Sequence, residues 1–366
     1  MLNKESITVG QLATGQALDV PVYRYNQGRP GPKVYIQANL HGAEVQGNAV
    51  LLALLERLKT LEVYGEVTLV PLSNPMGINQ KSGEFTLGRF DPVTGVNWNR
   101  QYLGDHIDVE AWLDANPELS GDALTHAFRA HLVEQCETRL VNPWGVSTGQ
   151  HLCYRLQALA HEHDIVLDLH TGPKSCRHLY CPEILKAQAS HLNIPCVLLM
   201  PNEFAGALDE ACFHPWWQLQ QALAKRGHNQ AMAVQAYTLE LGSQELIDIE
   251  AADQDAIGIT SFLGNNGVIA DAPAPAKMDR YACLLKDYRK LHAPGGAMVE
   301  YLAPLGEPLK AGEPLARLLK LEQIGQGQVV ETLNLPQDAI PVLHFASAAV
   351  HQGTELYKLM TNYYKL

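Results

Sequence analysis

The chain is poor in charge: Asp, Glu, Lys and Arg make up only 18 % of it, and the basic residues are outnumbered, leaving a formal charge of -12. Phosphate binding needs a basic face from which counterions are released, and no run of Lys or Arg supplies one, so a nucleic-acid partner is excluded. No apolar stretch approaches the ~18 residues that a membrane span requires. The longest, beginning at Val50, is broken by charge at helical spacing, so no membrane partner is expected. The first residues lack a basic segment followed by an apolar one, and a secretory leader is not expected. The seven cysteines, an odd number without close pairs, offer no disulfide framework and fit free thiols in a reducing cytoplasm. Cys176 and Cys181, five apart, match no common zinc spacing and are read as structural.

What is present is an ordinary globular composition, 46 % hydrophobic, spread over 366 residues. That length favours about two domains. Short apolar runs rich in β-branched residues begin at Pro32, Gly65, His163, Ile194 and Val234, and each ends in polar, chemically capable residues. Continuous apolar strands of this kind are buried on both faces. Between them, helical periodicity covers 44–60, 119–139, 150–163 and 213–227. Strands alternating with helices predict an α/β domain, with function at the carboxyl ends of the strands. Beyond about Lys286, glycine and proline punctuate short strands, and GEPLARL from Gly312 is echoed by GTELYKL from Gly353. This predicts an α/β domain over 1–285 and a smaller all-β domain over 286–366.

The motif HGAE, His41 to Glu44, follows the first apolar run and opens a helix. At a spacing of three, an imidazole nitrogen and a carboxylate oxygen can face one ion, and zinc accepts both. A third ligand is expected from another strand end, and DLHTG supplies His170. Arg89 and Arg100 lie in a long Gly-rich stretch after a strand, where loops carry function. Asn99 and Arg100 together make a fork suited to a carboxylate. Glu240 lies inside an apolar strand, an expensive position for a lone carboxylate without a partner or a task. Each has a plainer alternative: a core or capping histidine, a solvated arginine, a strand-end glutamate facing water.

The ordered set HGAE, NP, R-x-x-P-x-x-G, N-x-N-R, DLHTG and ELG resembles the succinylglutamate desuccinylase/aspartoacylase family, relatives of the zinc carboxypeptidases. The motifs run from about Lys33 to Ser243, and the glycine-punctuated tail resembles the family's β-barrel-like C-terminal domain. The resemblance implies a mixed sheet flanked by helices and one zinc ion per chain, held by His41, Glu44 and His170. It further implies Arg89 as oxyanion stabiliser, Asn99 and Arg100 as a clamp on a substrate carboxylate, and Glu240 as general base. The expected activity is hydrolysis of the amide bond of a small N-acyl amino acid.

One position departs from the family pattern. Where the family commonly has Asp in D-x-N-R, this chain reads Asn97-Trp98-Asn99-Arg100. An Asn97 carbonyl can still accept the imidazole N–H of His41, but as a neutral partner it makes that ligand less basic. A zinc carboxypeptidase or murein-peptide amidase would use the same residues on a peptide and remains the rival activity. A non-catalytic binding protein would be expected to lack a ligand or the base, and none is missing. A biotinyl- or lipoyl-type carrier would need a lysine at a hairpin tip, and AMVEY at Ala297 to Tyr301 has none. A small β module beside the site leaves assembly into a homo-oligomer open.

Overall fold

The computed structural model describes residues 1–104 and 107–366. Ten strands form one mixed sheet, and all five apolar runs singled out in the sequence are among them. The sheet begins with the hairpin Leu2–Gln11 and Ala17–Asn26 and continues through Glu66–Val70, Lys33–Ala38 and Ile165–Gly172. Gln235–Ser243, Arg177–Pro182, Cys196–Met200 and Tyr281–Leu284 follow, with Tyr364–Lys365 at the far edge. At the centre, Lys33–Ala38, Ile165–Gly172 and Gln235–Ser243 run parallel side by side. Their carboxyl ends therefore meet along one edge, where the sheet rule places function.

Alternation along the central strands decides which helices cover which face. Val34 and Ile36 pack with Leu54 of the helix Gln46–Leu58 and Phe262 of the helix Ile249–Asn265. Tyr35, between them, points the other way and packs with Leu156 of the helix Thr148–His161 and Phe213 of the helix Leu208–Lys225. The Gln46–Leu58 helix buries Val50, Leu51, Leu54 and Leu58 at helical spacing, while Leu52 on its outer side is 61 % exposed. Burying each such leucine contributes roughly 1.5–3 kcal/mol, which is what holds a helix of this length in place.

From Tyr288 to Thr361 the strands make two four-stranded sheets with their own core around Leu315, Leu318, Leu356 and Leu359. Those four leucines are the apolar positions of the echoed heptapeptide, so the echo marks two strands that bury equivalent side chains. One of the two sheets borrows Lys174–Ser175, which follows directly on the Ile165–Gly172 strand and pairs with Leu343–His344. All seven cysteines are free. Among the described residues, no helix is long and apolar enough to cross a membrane.

Candidate active site

The first central strand ends at Ala38, and the chain turns sharply at Asn39, whose φ of 66° is left-handed. Asparagine tolerates that conformation because its short amide bonds locally. Here Asn39 Nδ2 donates to the carbonyls of His41 and Gly42 at 3.1 and 3.2 Å. The turn brings Gly42 against the short helix Pro75–Ile78 so closely that a Cβ would sit 2.1 Å from the Gly77 carbonyl oxygen. Only glycine fits there. His41 and Glu44 are thereby aimed across the strand ends before the helix begins at Gln46.

Glu44 lies between the two histidines. Its Oε1 is 2.9 Å from His41 Nδ1, and its Oε2 is 2.8 Å from His170 Nδ1 and accepts the Thr171 N–H. All three side chains are buried, and one donor atom from each lies within 4.8 Å of the other two. Each imidazole is gripped on its far nitrogen. His41 Nε2 is 2.9 Å from Asn97 Oδ1, and His170 Nε2 is 2.9 Å from Asp168 Oδ2. Asp168 is held in turn by Gln37 Nε2 at 2.9 Å. Two nitrogens and a carboxylate converging in a buried pocket, with both rings oriented from behind, are a donor set that can hold a divalent metal ion. Electrostatics tie the set together. Burial pushes Glu44 up, but the two histidines outweigh it and hold the carboxylate well below the usual range. Burial also pushes His170 down, but Asp168 and Glu44 hold it well above its ordinary value.

The other sequence-predicted residues reach the same cavity, whose volume is about 390 Å³. Glu240 is directly opposite His170 in the strand register. Its Oε2 has no hydrogen-bond partner among the described residues. Burial, then the charge of Glu44, pushes its carboxyl up to about 7, a value at which a group both takes and gives a proton near neutrality. Arg89 Nη1 donates to Glu44 Oε1 at 3.0 Å from a half-exposed side chain. Asn97 starts the 3-10 turn Trp98–Arg100 by accepting the Asn99 N–H, and this turn brings Asn99 and Arg100 to the cavity wall, with Asn99 Nδ2 3.5 Å from His170 Nε2. Asn99 is buried, and Arg100 is exposed with its guanidinium donating to the Asn99 carbonyl.

Several lining residues were not singled out in the sequence. Tyr180 belongs to the short strand Arg177–Pro182, whose brief apolar run gave a weak signal. Tyr288, Lys290 and Lys358 come from the C-terminal sheets. Asp209 and Thr238 also face the cavity, and Asp209 is pushed up to about 8 by burial and by Glu210 and Asp168. Asp168 was quoted within DLHTG, and its place two residues before His170 on the same strand, which puts both side chains on one face, was the signal for their pairing.

The family profile of the succinylglutamate desuccinylase/aspartoacylase catalytic domain matches residues 30–265. The chain belongs to this deacylase family. The crystal structure of a succinylglutamate desuccinylase/aspartoacylase family protein from Shewanella amazonensis SB2B is 56 % identical, covers 100 % of both chains and superposes with a TM-score of 0.98. The N-alpha-acetyl-L-2,4-diaminobutyric acid deacetylase of Halomonas elongata is 23 % identical over 338 residues, spanning 86 % of this chain and 78 % of that one. The product-bound ectoine utilization protein EutE (DoeB) from Ruegeria pomeroyi is 16 % identical over 98 % of this chain and 94 % of its own. With a TM-score of 0.66 it shares the fold. The predicted fold class, a mixed sheet between helices with smaller β sheets toward the C-terminus, is the family's fold and the one observed.

Proposed function

We propose that the chain is a zinc-dependent deacylase that hydrolyses the amide bond of a small N-acyl amino acid. The observation that carries this reading is the meeting of His41, Glu44 and His170 with the unpartnered, elevated carboxyl of Glu240 in one cavity. Zinc suits the donor set, and when bound it supplies the Lewis acidity that acidifies water and polarises an acyl carbonyl. Glu240 takes the proton of the attacking water and delivers it to the departing amine nitrogen. Arg89, beside Glu44, faces the negative charge that develops on the acyl oxygen, a contribution worth on the order of 3 kcal/mol for one well-placed donor. Asn99 and Arg100 hold the substrate carboxylate, turning binding into orientation.

The division into a catalytic domain over 1–285 and a β domain over 286–366 belongs to the same proposal. Lys290 and Lys358 wall a cavity of about 390 Å³, which favours a small acylated amino acid over a peptide. Seven free thiols fit a cytoplasmic enzyme.

The test combines elemental analysis with hydrolysis of N-acyl amino acids and dipeptides. About one zinc per chain, lost in a His41→Ala, His170→Ala double variant, is expected. Glu240→Gln should keep zinc and lose turnover. Normal turnover in Glu240→Gln would remove the base assignment, and failure to take up supplied zinc would remove the metal assignment. Faster cleavage of dipeptides would give the site to the peptidase reading.

A further inference from the structure

Two loops beside the proposed metal site carry large apolar side chains into solvent. The hairpin of Lys81–Ser82 and Phe85–Thr86 turns Thr86 inward, where it is buried, and leaves Phe85 and Leu87 on its outer side. The Thr86 N–H donates to Glu245 Oε1 at 2.6 Å, and its hydroxyl lies 3.4 Å from Oε2. Leu246 and Ile247 follow Glu245 directly, and Ile249 opens the helix Ile249–Asn265. Phe85, Leu87, Leu246, Ile247 and Ile249, between 51 and 67 % exposed, therefore share one ridge across both loops. Phe90, Val93 and Val96, between 43 and 71 % exposed, extend it along the first loop.

The backbone beneath the ridge is fixed. Glu245 has a φ of 61°, a left-handed conformation that residues other than glycine seldom adopt. Its N–H donates to the Ala43 carbonyl at 2.8 Å, and the Gly42 N–H donates to the Gly88 carbonyl at 2.8 Å. Both loops are thus tied to the turn that carries His41 and Glu44. Buried Asp91 closes the outer turn by accepting the Val93 N–H at 2.9 Å and the Thr94 hydroxyl at 2.8 Å. Apolar side chains scattered singly over a surface are ordinary, whereas a fixed group of them marks an interaction site.

Size points to a protein partner. With roughly 150–200 Å² of accessible surface per large apolar side chain, eight that are about half exposed present on the order of 800 Å². That equals one partner's share of a standard interface and exceeds the roughly 300–600 Å² of the largest such patch on a monomer. Charge selects which partner. Of residues 85–90 and 246–249, only Arg89 and Asp248 are charged, and both are engaged. Arg89 donates to Glu44, and Asp248 accepts the Ala251 N–H at 2.9 Å at the start of its helix. A lipid surface calls for basic residues around the apolar ones, and a formal charge of -12 supplies the opposite. Two copies of so acidic a chain repel except where they carry no net charge, and apolar surface, being non-directional, is complementary to itself. We propose that the ridge is a two-fold interface between two copies of this chain, backing onto the turn that holds the metal donors.

Sedimentation equilibrium of the purified chain, from about 0.1 to 100 μM, should give twice the mass of one chain with a dissociation constant at or below roughly 1 μM. A substitution enters a two-fold interface twice, so Phe85→Glu combined with Ile247→Glu should weaken association at least about 100-fold. Phe85→Ser with Ile247→Ser, which adds no charge, should weaken it about tenfold and serves if the glutamate pair fails to fold by circular dichroism. Trp144→Glu should leave association unchanged, because that side chain, 95 % exposed, lies in the separate loop between the helices Gly121–Leu140 and Thr148–His161. A wild type that stays monomeric at about 100 μM overturns the proposal. So does a dimer that survives both paired variants, or one that Trp144→Glu dissociates. Cosedimentation of a monomeric wild type with phosphatidylglycerol vesicles, lost in the paired variants, would give the ridge to a membrane and overturn the two-fold interface.

Discussion

Asn97 Oδ1 lies 2.9 Å from His41 Nε2 and accepts the Asn99 backbone N–H at the same distance. An oxygen already fixed as acceptor by a backbone donor requires a proton on the imidazole nitrogen that faces it. His41 is thereby held with Nε2 protonated and Nδ1 free to act as ligand. An aspartate would keep this geometry and add charge. Asn97→Asp is therefore expected to tighten zinc binding about tenfold, read by competition against a chromogenic chelator. Unchanged or weaker binding would show that the carbonyl already does all a partner can do there.

His170 has the charged partner that His41 lacks. Replacing Asp168 with Asn removes that charge while keeping a group of the same shape beside Gln37. Zinc affinity should fall about 10- to 100-fold in Asp168→Asn, opposite in direction to Asn97→Asp. If the two substitutions moved affinity the same way, ligand basicity would not be the controlling quantity.

Gly42→Ala is expected to damage the site from within the backbone. The new Cβ would meet the Gly77 carbonyl oxygen at 2.1 Å and its carbon at 2.3 Å, and neither atom can rotate away. Separating the turn from the helix Pro75–Ile78 should cost on the order of 1–3 kcal/mol. A lower unfolding temperature together with reduced zinc content is the expected result, and a wild-type value for both would contradict the close contact.

Acid should destabilise the fold through a histidine remote from the metal donors. His163 is fully buried, with Nδ1 near the Leu159 carbonyl and Nε2 near the Thr68 hydroxyl, both at 2.8 Å. Burial pushes its imidazole down to about 3. Between an unfolded value of about 6.5 and that folded value, the unfolded chain binds the extra proton. The contribution is therefore present above about pH 6.5 and is lost as pH falls toward 3, by at most roughly 1.4 kcal/mol per pH unit. Urea midpoints measured from pH 7 to 4 should fall less steeply in His163→Gln than in the wild type, and equal slopes would rule this group out.

Much of the catalytic half was readable because local pattern and local chemistry coincide there. HGAE and DLHTG each end an apolar run, so the strand and its functional terminus are visible in a few consecutive residues. The strand Arg177–Pro182 was not read as one, because Arg177 and His178 open it, Pro182 ends it, and only Leu179 to Cys181 lie between them, too short a run to stand out. Asp209 was invisible for another reason: an acid in the first turn of a helix ordinarily complements the dipole, and only the neighbouring Glu210 does so by capping. The contributions of Lys290 and Lys358 depend on packing between distant parts of the chain, which no window of sequence contains.

The walls of the cavity are drawn from positions as far apart as His41 and Lys358. During synthesis the metal donors and Glu240 emerge well before the strand Glu355–Thr361 that carries the last of these walls. A nascent chain can thus present the His41, Glu44 and His170 cluster before the cavity around it is closed. The wall formed by Lys290 and Lys358 is the last part of the cavity to be made.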